Sequence, residues 1–382
     1  MNLFSRNLRL ENLDDSAFIF GPRMTGKTTL LQKLKADAYI DLLDPEEELR
    51  YKAHPGLLKQ ELEALPAGAT IIIDEVQKVP ALLNYAQIGI DRFQHRFLLS
   101  GSSAGKLRRG GANLLGGRAL DLKLHPLTYR ETGEQFSIEL ALQYGTLPRM
   151  FTLALEKKIE QAKGHLSSYV TTYIKEEIQA EALARNIGAF QRFIAVASQA
   201  NAQVIEFANI SRDCSVPAST VKEYFSILED TLLGGFLWPF GHSERKKARP
   251  KFYFFDCGVI RALQNRLSDP PTRHEEGFLF ETWFINEIAR LHDYAKSEHA
   301  FSFWREKNHE IDILISDSRK PVLAIECKIN PSVISAATIK AFKNRFRDVP
   351  LIIASGIDKR PRILQGIEVL PWAQALERYA AL

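Results

Sequence analysis

The sequence has few cysteines and no hydrophobic run long enough to cross a membrane. Among its 382 residues are three cysteines, Cys214, Cys257 and Cys327, which lie far apart and form no C-x-x-C pair. Neither a disulfide framework nor a zinc site is therefore predicted, and we expect a reducing, cytoplasmic environment. No apolar stretch approaches the roughly twenty residues of a membrane-spanning helix. Arg6 and Arg9 are followed by acidic residues, not by the apolar stretch of a signal peptide, so no membrane partner is expected.

Several enzyme signatures are also absent from the sequence. The nine histidines have no metal-like spacing, and we find no H-E-x-x-H pattern, Ser-His-Asp arrangement or deaminase pattern. These absences argue against zinc proteases, triad hydrolases and nucleobase deaminases. With 45% apolar and 25% charged residues the composition is that of an ordinary globular protein, and a net charge of +4 is a mild excess. The length suits two or three domains.

A glycine-containing segment near the start of the chain fits a phosphate-binding pattern. Residues 21–28 read GPRMTGKT, which matches G-x-x-x-x-G-K-[ST]. An apolar run at 17–20 precedes the segment and a helix-forming stretch at 29–34 follows it, which is the strand–loop–helix context that the motif requires. Glycines let backbone N–H groups face a phosphate chain. The predicted ATP-binding residues of this loop are Gly21, Pro22, Arg23, Met24, Thr25, Gly26, Lys27, Thr28 and Thr29.

A second apolar strand ends in two carboxylates. Residues 70–75 read TIIIDE, and an all-apolar run suits a central parallel strand that is buried on both faces. Asp74 and Thr28 are predicted to hold Mg²⁺, and Lys27 to reach the β- and γ-phosphates. Glu75 is predicted to polarise the attacking water. The alternative, a glycine turn with a chance lysine, is disfavoured because the two motifs occur together.

A third apolar strand, at 96–100, runs into a serine- and glycine-rich segment. If this strand lies between the other two, Ser100 or Ser102 could sense the γ-phosphate, and the alternative is an ordinary polar loop. A glycine- and arginine-rich segment then spans 106–118. Its Arg118 either contacts the γ-phosphate, in its own subunit or in a neighbour within a homo-oligomer, or is a solvated loop arginine.

The middle of the chain is predicted to be helical and to end in a hairpin. The predicted elements are helices at 154–179 and 190–200, a helix–turn–helix over 204–229 and strands at 237–240 and 251–255. This order resembles a winged helix with a basic wing. Its local positive charge predicts contact with the DNA backbone through Arg245, Lys246, Lys247, Arg249 and Lys251. Alternatively, the module contacts a protein or acts as a lid.

A third region contains a second group of charged residues at regular positions. Glu281 lies on a predicted helix at 277–292, Asp312 on a predicted strand, and Glu326 and Lys328 on one face of the next strand. Glu281, Asp312 and Glu326 are predicted to hold Mg²⁺ or Mn²⁺, which oxygen ligands favour. Lys328 is predicted to be catalytic, orienting a water or stabilising phosphate charge. The alternative for Glu326 and Lys328 is a surface salt bridge.

This spacing resembles that of the PD-(D/E)XK nuclease superfamily, although residues 310–312 read EID and lack the Pro-Asp pair. The chain as a whole resembles a family of prokaryotic AAA-type ATPases. The residues that carry the second resemblance are at 21–23, 74–77, 100–103, 116–118, 280–282, 303–305 and 326–328. The resemblance implies an N-terminal AAA domain that binds and hydrolyses ATP, followed by a winged helix and a nuclease-like domain of largely unknown function.

The predicted fold class is α/β, in three domains. Residues 1–150 are predicted to form a P-loop ATPase domain with a parallel sheet, residues 151–268 a helical winged-helix domain, and residues 269–382 a PD-(D/E)XK-like domain. Two functions follow from these predictions. The first is an Mg²⁺-dependent ATPase that acts on DNA and cuts it at the C-terminal site. The alternative is an ATP-dependent conformational switch whose other domains only bind DNA or a protein partner.

Overall fold

The computed structural model describes residues 4–102, 115–174, 186–241, 249–332 and 335–382. Arg245, Lys246 and Lys247 of the predicted wing lie outside these ranges, as do parts of the predicted arginine-rich loop and of the long helix. The chain divides into two compact units. The first unit comprises the described residues up to Leu127 together with Ile227–Leu233, and the second unit comprises Thr128–Ser226 and Gly234–Leu382. The three predicted domain boundaries stay a prediction.

A five-stranded sheet organises the first unit. Its strands are β1 (Ser16–Phe20), β2 (Ala38–Asp41), β3 (Thr70–Asp74), β4 (Arg96–Gly101) and β5 (Ala119–Lys123). The order across the sheet is β2-β3-β4-β1-β5, and every neighbouring pair is parallel. Parallel neighbours need crossover connections, and those between β1 and β2, β2 and β3, and β3 and β4 contain helices. These are α1 (Lys27–Leu31), α2 (Pro45–Ala53), α3 (Leu57–Ala64) and α4 (Leu82–Phe93). The predicted parallel α/β sheet is thereby confirmed.

Apolar side chains on both faces bury this sheet. Successive residues of a strand point to opposite faces, so Ile71 and Ile73 of β3 join one core cluster while Ile72 joins the other. Phe18 and Ile19 of β1 divide between the same two clusters. Strands that are apolar on both sides can occupy only the middle of a covered sheet, which is why β3, β4 and β1 lie there.

Helices make up most of the first half of the second unit. They are α5 (Tyr129–Thr132), α6 (Ile138–Tyr144), α7 (Pro148–Leu155), α8 (Ile159–Ser168), α9 (Ile187–Gln199), α10 (Phe207–Cys214), α11 (Ala218–Asp230) and α12 (Cys257–Leu263). The end of α11 belongs to the first unit. The helix predicted at 154–179 is interrupted, because Lys157 adopts a left-handed conformation with φ 59° between α7 and α8. Among the described residues, no helix combines the length and apolar character needed to cross a bilayer.

A six-stranded sheet organises the rest of the second unit. Its strands are β8 (Ala300–Glu306), β9 (His309–Asp317), β10 (Lys320–Lys328), β11 (Leu351–Ser355), β12 (Arg362–Leu364) and β13 (Ile367–Pro371), in the order β12-β13-β11-β10-β9-β8. Strands β8, β9 and β10 form an antiparallel meander, whereas β10, β11 and β13 are parallel. Three helices pack on this sheet, α13 (Arg273–Ala295), α14 (Ala336–Arg345) and α15 (Trp372–Ala380). The second unit therefore contains a mixed sheet covered by helices.

A hairpin of β6 (Gly234–Leu237) and β7 (Lys251–Phe254) also belongs to the second unit. The segment after β6 lies along β8, because the N–H of Phe240 donates to the carbonyl of Phe303 at 2.8 Å and the N–H of Phe303 donates to the carbonyl of Trp238 at 3.1 Å. Tyr253 of β7 shares a core cluster with Phe303. The described strands of this hairpin are thus packed against the six-stranded sheet.

Candidate functional site

The carboxyl edge of the five-stranded sheet collects the residues predicted to bind a nucleotide. Strand register places Phe20 beside Gly101 and Ile73 beside Leu99, so β1, β3 and β4 end at the same edge. Strand β4 lies between β1 and β3, as the sensor prediction for Ser100 requires. Ligands of open parallel sheets bind at this edge.

The segment Gly21–Lys27 forms a tight loop between β1 and α1. A Cβ atom at Gly21 would lie 2.3 Å from the carbonyl oxygen of Leu124, and Gly26 has a φ of 95°, so both positions require glycine. The ammonium of Lys27 donates to the carbonyls of Gly21 at 2.7 Å and Pro22 at 3.2 Å. The loop therefore curls around the amine of Lys27. Of the other predicted loop residues, Thr25 is buried, Arg23, Met24 and Thr28 are half-buried, and Thr29 is exposed.

Arg6, which the sequence motifs did not single out, supports this loop. Its guanidinium donates to the carbonyl of Thr25 at 2.6 Å and to that of His125, beyond β5, at 2.5 Å. Charged donors make the stronger class of protein hydrogen bonds. The residue therefore ties the phosphate loop to a neighbouring loop. No pattern around Arg6 marks this role, because both of its partners are backbone groups distant in sequence.

Asp74, at the end of β3, is completely buried and accepts a hydrogen bond on each carboxylate oxygen. The hydroxyl of Ser100 donates to Oδ1, and the phenol of Tyr39 donates to Oδ2 at 3.2 Å. Burial, followed by the charge of Asp74, raises the pKa of Tyr39 above its usual range. The phenol therefore remains a donor, and the carboxylate is held in one orientation. Tyr39 is a second residue that the sequence motifs missed.

Glu75 adopts a left-handed backbone conformation with φ 57° directly after β3. Its N–H donates to the hydroxyl of Ser100 at 3.0 Å. The amide of Gln77 donates both to the carboxylate of Glu75 and, at 3.2 Å, to the hydroxyl of Ser102. Side chains thus connect the ends of β3 and β4, and the two predicted sensor serines each touch this network.

The structure places Arg118 at the amino ends of β1 and β5, opposite the carboxyl edge that carries the phosphate loop. It directly precedes β5, whose first residue Ala119 pairs with Ser16 at the start of β1. At about 3.3 Å per residue, the length of β1 puts this position about 13 Å from the phosphate-loop end of that strand. The guanidinium of Arg118 instead pairs with Asp91 of α4 at 2.6 Å. The interpretation that Arg118 reaches the γ-phosphate of its own subunit is therefore wrong, while a role in a neighbouring subunit stays a prediction.

A cleft of about 1030 Å³ in the second unit holds the other predicted site. It is lined by Glu281 of α13, Asp312 of β9, and Glu326 and Lys328 of β10. The four residues of the predicted metal site therefore meet in one place. The backbone N–H of Cys327 donates to Oδ2 of Asp312 at 2.9 Å, which orients that carboxylate toward the interior of the cleft.

Lys251 of β7 enters this cleft among the carboxylates. Its ammonium lies 2.9 Å from Oε1 of Glu281, 2.7 Å from Oε1 of Glu310 and 3.5 Å from Oδ1 of Asp312. Only 3% of Lys251 is exposed, so the structure contradicts its assignment to a DNA-contacting wing. Arg249, by contrast, is exposed and pairs with Glu206. Lys251 is the first residue of an otherwise apolar strand. A lysine in such a strand is a sequence signal from which its burial could have been predicted.

Burial dominates the electrostatics of the cleft. It raises the pKa of Glu281 to about 7 and that of Glu326 to about 8, and the charge of Asp312 adds to both increases. Burial alone would lower the pKa of Lys251, but Glu281, Asp312 and Glu310 outweigh it and raise the pKa above its usual value. Lys328 lies 2.6 Å from Oε1 of Glu326, while Oε2 of Glu326 is buried without a hydrogen-bond partner.

The carboxylates of the cleft do not fit the predicted divalent metal in the arrangement seen here. The ammonium of Lys251 already pairs with Glu281 and Asp312, two of the three predicted ligands, and with the neighbouring Glu310. Within the described ranges, no group of three or more His, Cys, Asp and Glu side chains is arranged to hold a metal ion. The metal roles of Glu281, Asp312 and Glu326 accordingly stay predictions.

Three known families match successive parts of the chain. Residues 14–133 match the family described as AAA domain, residues 135–269 match Domain of unknown function (DUF8612), and residues 276–375 match Domain of unknown function (DUF4143). No curated protein matches the chain. The AAA match covers the phosphate loop, β3 and β4. Residues 14–133 thus match an AAA domain, and the parallel five-stranded sheet that they contain resembles that of a P-loop ATPase.

Two solved structures are among those similar to this chain. One is described as "Structure of the Aeropyrum pernix Orc1 protein in complex with DNA"; it is 12% identical, and the match covers 67% of this chain and 87% of that one with a TM-score of 0.33. The other is described as "Replication initiator DnaA bound to AMPPCP and single-stranded DNA"; it is 14% identical, and the match covers 57% of this chain and 83% of that one with a TM-score of 0.30.

Proposed function

We propose that the protein binds and hydrolyses ATP in an Mg²⁺-dependent reaction at the carboxyl edge of the five-stranded sheet. The observation that carries this proposal is the meeting of the Gly21–Lys27 loop, Asp74 and Glu75 at one edge of an AAA-type domain. Loop, buried aspartate and adjacent glutamate are the parts that phosphoryl transfer from ATP to water requires.

Each residue of this site has a defined task in the proposed reaction. Lys27, whose amine donates to the carbonyls of Gly21 and Pro22 at the centre of the loop, binds the β- and γ-phosphates. Glu75 orients and polarises the attacking water, and Gln77 and Ser102 position its carboxylate. Mg²⁺, held by Thr28 and Asp74, would neutralise phosphate charge when bound.

Two substitutions test this proposal by separating binding from hydrolysis. Lys27→Ala should abolish binding of a fluorescent ATP analogue, because the loop loses its only lysine facing its centre. Glu75→Gln should retain binding while hydrolysis falls about 100-fold or more, the usual contribution of a general base. The exposed Lys33 provides the matched control, and Lys33→Ala should behave like the wild type. Equal ATP turnover in the wild type and Glu75→Gln would remove Glu75 from its role as base.

We also propose that the second unit binds DNA or a protein partner. The order of α10, α11 and the β6–β7 hairpin supports a winged-helix interpretation. The helix α13 followed by β8, β9 and β10 supports a PD-(D/E)XK-like interpretation of the C-terminal sheet. Of the described residues of the predicted basic wing, Arg249 is exposed, and a phosphate backbone would compete with Glu206 for its guanidinium.

One observation favours binding over cleavage in the second unit. Lys251 pairs with Glu281 and Asp312, two of the three carboxylates that a metal-dependent nuclease would use. The alternative function, an ATP-dependent conformational switch with a binding cleft, agrees better with this arrangement.

The test measures ATP hydrolysis and cleavage of labelled DNA side by side, with Mg²⁺ and with Mn²⁺, for the wild type and Asp312→Ala. Cleavage that is lost in Asp312→Ala would instead establish a nuclease.

A further inference from the structure

We propose that the ammonium group of Lys251 is the resident cation of the acidic cleft and takes the place that the sequence pattern assigns to a divalent metal ion. Its nitrogen lies within 3.5 Å of oxygens from Glu281, Glu310 and Asp312, which come from two different elements. Glu281 and Asp312 are two of the three predicted metal ligands, so a divalent ion would have to compete with the ammonium for the same oxygens. The inference concerns the second unit alone and does not depend on ATP hydrolysis.

The surroundings of Lys251 hold it in this position. The backbone of Lys251 pairs with Leu237 in the hairpin, and its ammonium lies 5.7 Å from the ring centre of Phe303. Tyr253, two residues further along the same face of β7, donates its hydroxyl to Glu281 at 2.6 Å. The strand therefore delivers both a charge and a hydrogen bond to the same carboxylate. If Lys251 left this position, Glu281 would remain buried without a counterion.

The charge balance gives the physical reason for a built-in cation. Several carboxylates in one buried cleft repel each other, and each loses hydration energy on burial. A lysine supplied by the chain compensates this charge at all times, whereas a metal ion does so only when bound. The cleft is consequently assembled in metal-free protein. The groups that the cleft presents to a binding partner are Lys328 and the Oε2 atom of Glu326, which is buried without a hydrogen-bond partner. The cleft does not present a metal-activated water.

A Mn²⁺ titration tests this inference while Lys251 stays in place. Binding of Mn²⁺ to nucleotide-free protein is measured by electron paramagnetic resonance for the wild type and for Asp312→Asn. We expect the two to bind the same number of Mn²⁺ ions with the same affinity, because the cleft takes none. One additional saturable Mn²⁺ site in the wild type that Asp312→Asn lacks would overturn the inference.

Replacing the lysine should convert the cleft into a metal site. In EDTA, Lys251→Met should lower the unfolding temperature by about 10 °C, because carboxylates are left buried without their counterion. Mn²⁺ should restore much of this loss in Lys251→Met but not in the double variant Lys251→Met/Asp312→Asn. Lys158→Met, which removes an exposed lysine paired with Glu156, should show neither effect.

Two outcomes of the second experiment would contradict the inference. One is a Lys251→Met protein that is as stable as the wild type in EDTA, since the carboxylates then need no counterion. The other is a destabilised Lys251→Met protein that Mn²⁺ does not stabilise, since the oxygens then do not converge on a cation position. If Lys251→Met does not fold, the titration of the wild type decides.

Discussion

Two lysines, Lys27 and Lys251, are almost completely buried, with 5% and 3% exposure, yet their partners differ. The ammonium of Lys27 is held by the neutral carbonyls of Gly21 and Pro22, whereas that of Lys251 is held by carboxylates. An anionic phosphate can replace a carbonyl with a gain in electrostatic energy. It cannot compete in the same way with carboxylates that already neutralise the lysine. The carbonyl contacts of Lys27 therefore agree with its proposed phosphate-binding role, and the carboxylate contacts of Lys251 agree with a structural role.

Glu287 of α13 gives the second unit a pH-dependent stability. It is completely buried, pairs with Arg290 at 2.8 Å and accepts the backbone N–H of Tyr129 at 3.1 Å. Burial raises its pKa from 4.5 to about 7. Because the folded state holds this proton more tightly than the unfolded state, the contribution is complete below about pH 4.5 and is lost as the pH rises through 7.

We expect Glu287→Gln to flatten the pH dependence between pH 4.5 and 7. A pKa difference of about 2.5 units corresponds to roughly 3 kcal/mol over this window. The measurement is urea unfolding of the wild type and the variant at several pH values. Glu160→Gln, which removes a highly exposed carboxyl, serves as control and should retain the wild-type slope. An unchanged slope in Glu287→Gln would show that Glu287 ionises alike in both states.

At the scale of elements, two glycines in helices predict opposite effects of the same substitution. A Cβ at Gly258 of α12 would lie 2.2 Å from the carbonyl oxygen of Tyr144, the last residue of α6. Gly258→Ala should therefore force α12 and α6 apart and cost about 1–3 kcal/mol of unfolding free energy. A Cβ at Gly277 of α13 would meet nothing within 4 Å, so Gly277→Ala should stabilise the protein by about 0.5–1 kcal/mol.

Urea unfolding of both variants beside the wild type checks this pair. The two substitutions add the same methyl group to a helix, so any difference between them reports on the space around each glycine. A Gly258→Ala protein that is as stable as Gly277→Ala would show that α6 and α12 can separate without loss.

Elements with a local sequence pattern could be predicted, whereas elements that depend on distant neighbours could not. Strands β1, β3 and β4 were predicted within one residue because their apolar pattern and motifs are local. The helix predicted at 154–179 was wrong in its continuity, since its charged pattern runs through the break at Lys157. Strands β8, β12 and β13 were missed, because their stability comes from neighbours in the sheet rather than from their own composition.

The same limit applies to the candidate sites. The phosphate-loop residues were placed together by one local motif, and the four cleft residues by their resemblance to a known helix–strand–strand motif. Arg6, Tyr39 and Lys251 were not, since their partners lie 19 to 119 residues away in the chain. Such partners meet only through the order of the strands, which local periodicity does not encode.

At the scale of the whole molecule, the division into two units makes it possible to measure which unit a bound nucleotide stabilises. A ligand that binds only the folded state stabilises it by about 2.7 kcal/mol at 100 times its dissociation constant. Amides of the first unit that exchange through its unfolding should then exchange roughly a hundredfold more slowly. Hydrogen-exchange mass spectrometry with and without a non-hydrolysable ATP analogue measures this directly. Lys27→Ala should show no protection.

In the same experiment, amide exchange in the second unit distinguishes an ATPase whose chemistry is local from an ATP-dependent conformational switch. Its amides exchange through openings of its own sheet and helices, and mass action alone gives a nucleotide in the first unit no influence on them. Protection confined to the Gly21–Lys27 loop and the ends of β3 and β4 would support an ATPase whose chemistry is local. Altered exchange around Lys251, Glu281 and β10 would demonstrate coupling, which a conformational switch requires. Because a switch is reciprocal, a ligand of the acidic cleft would then have to change nucleotide affinity by the same factor.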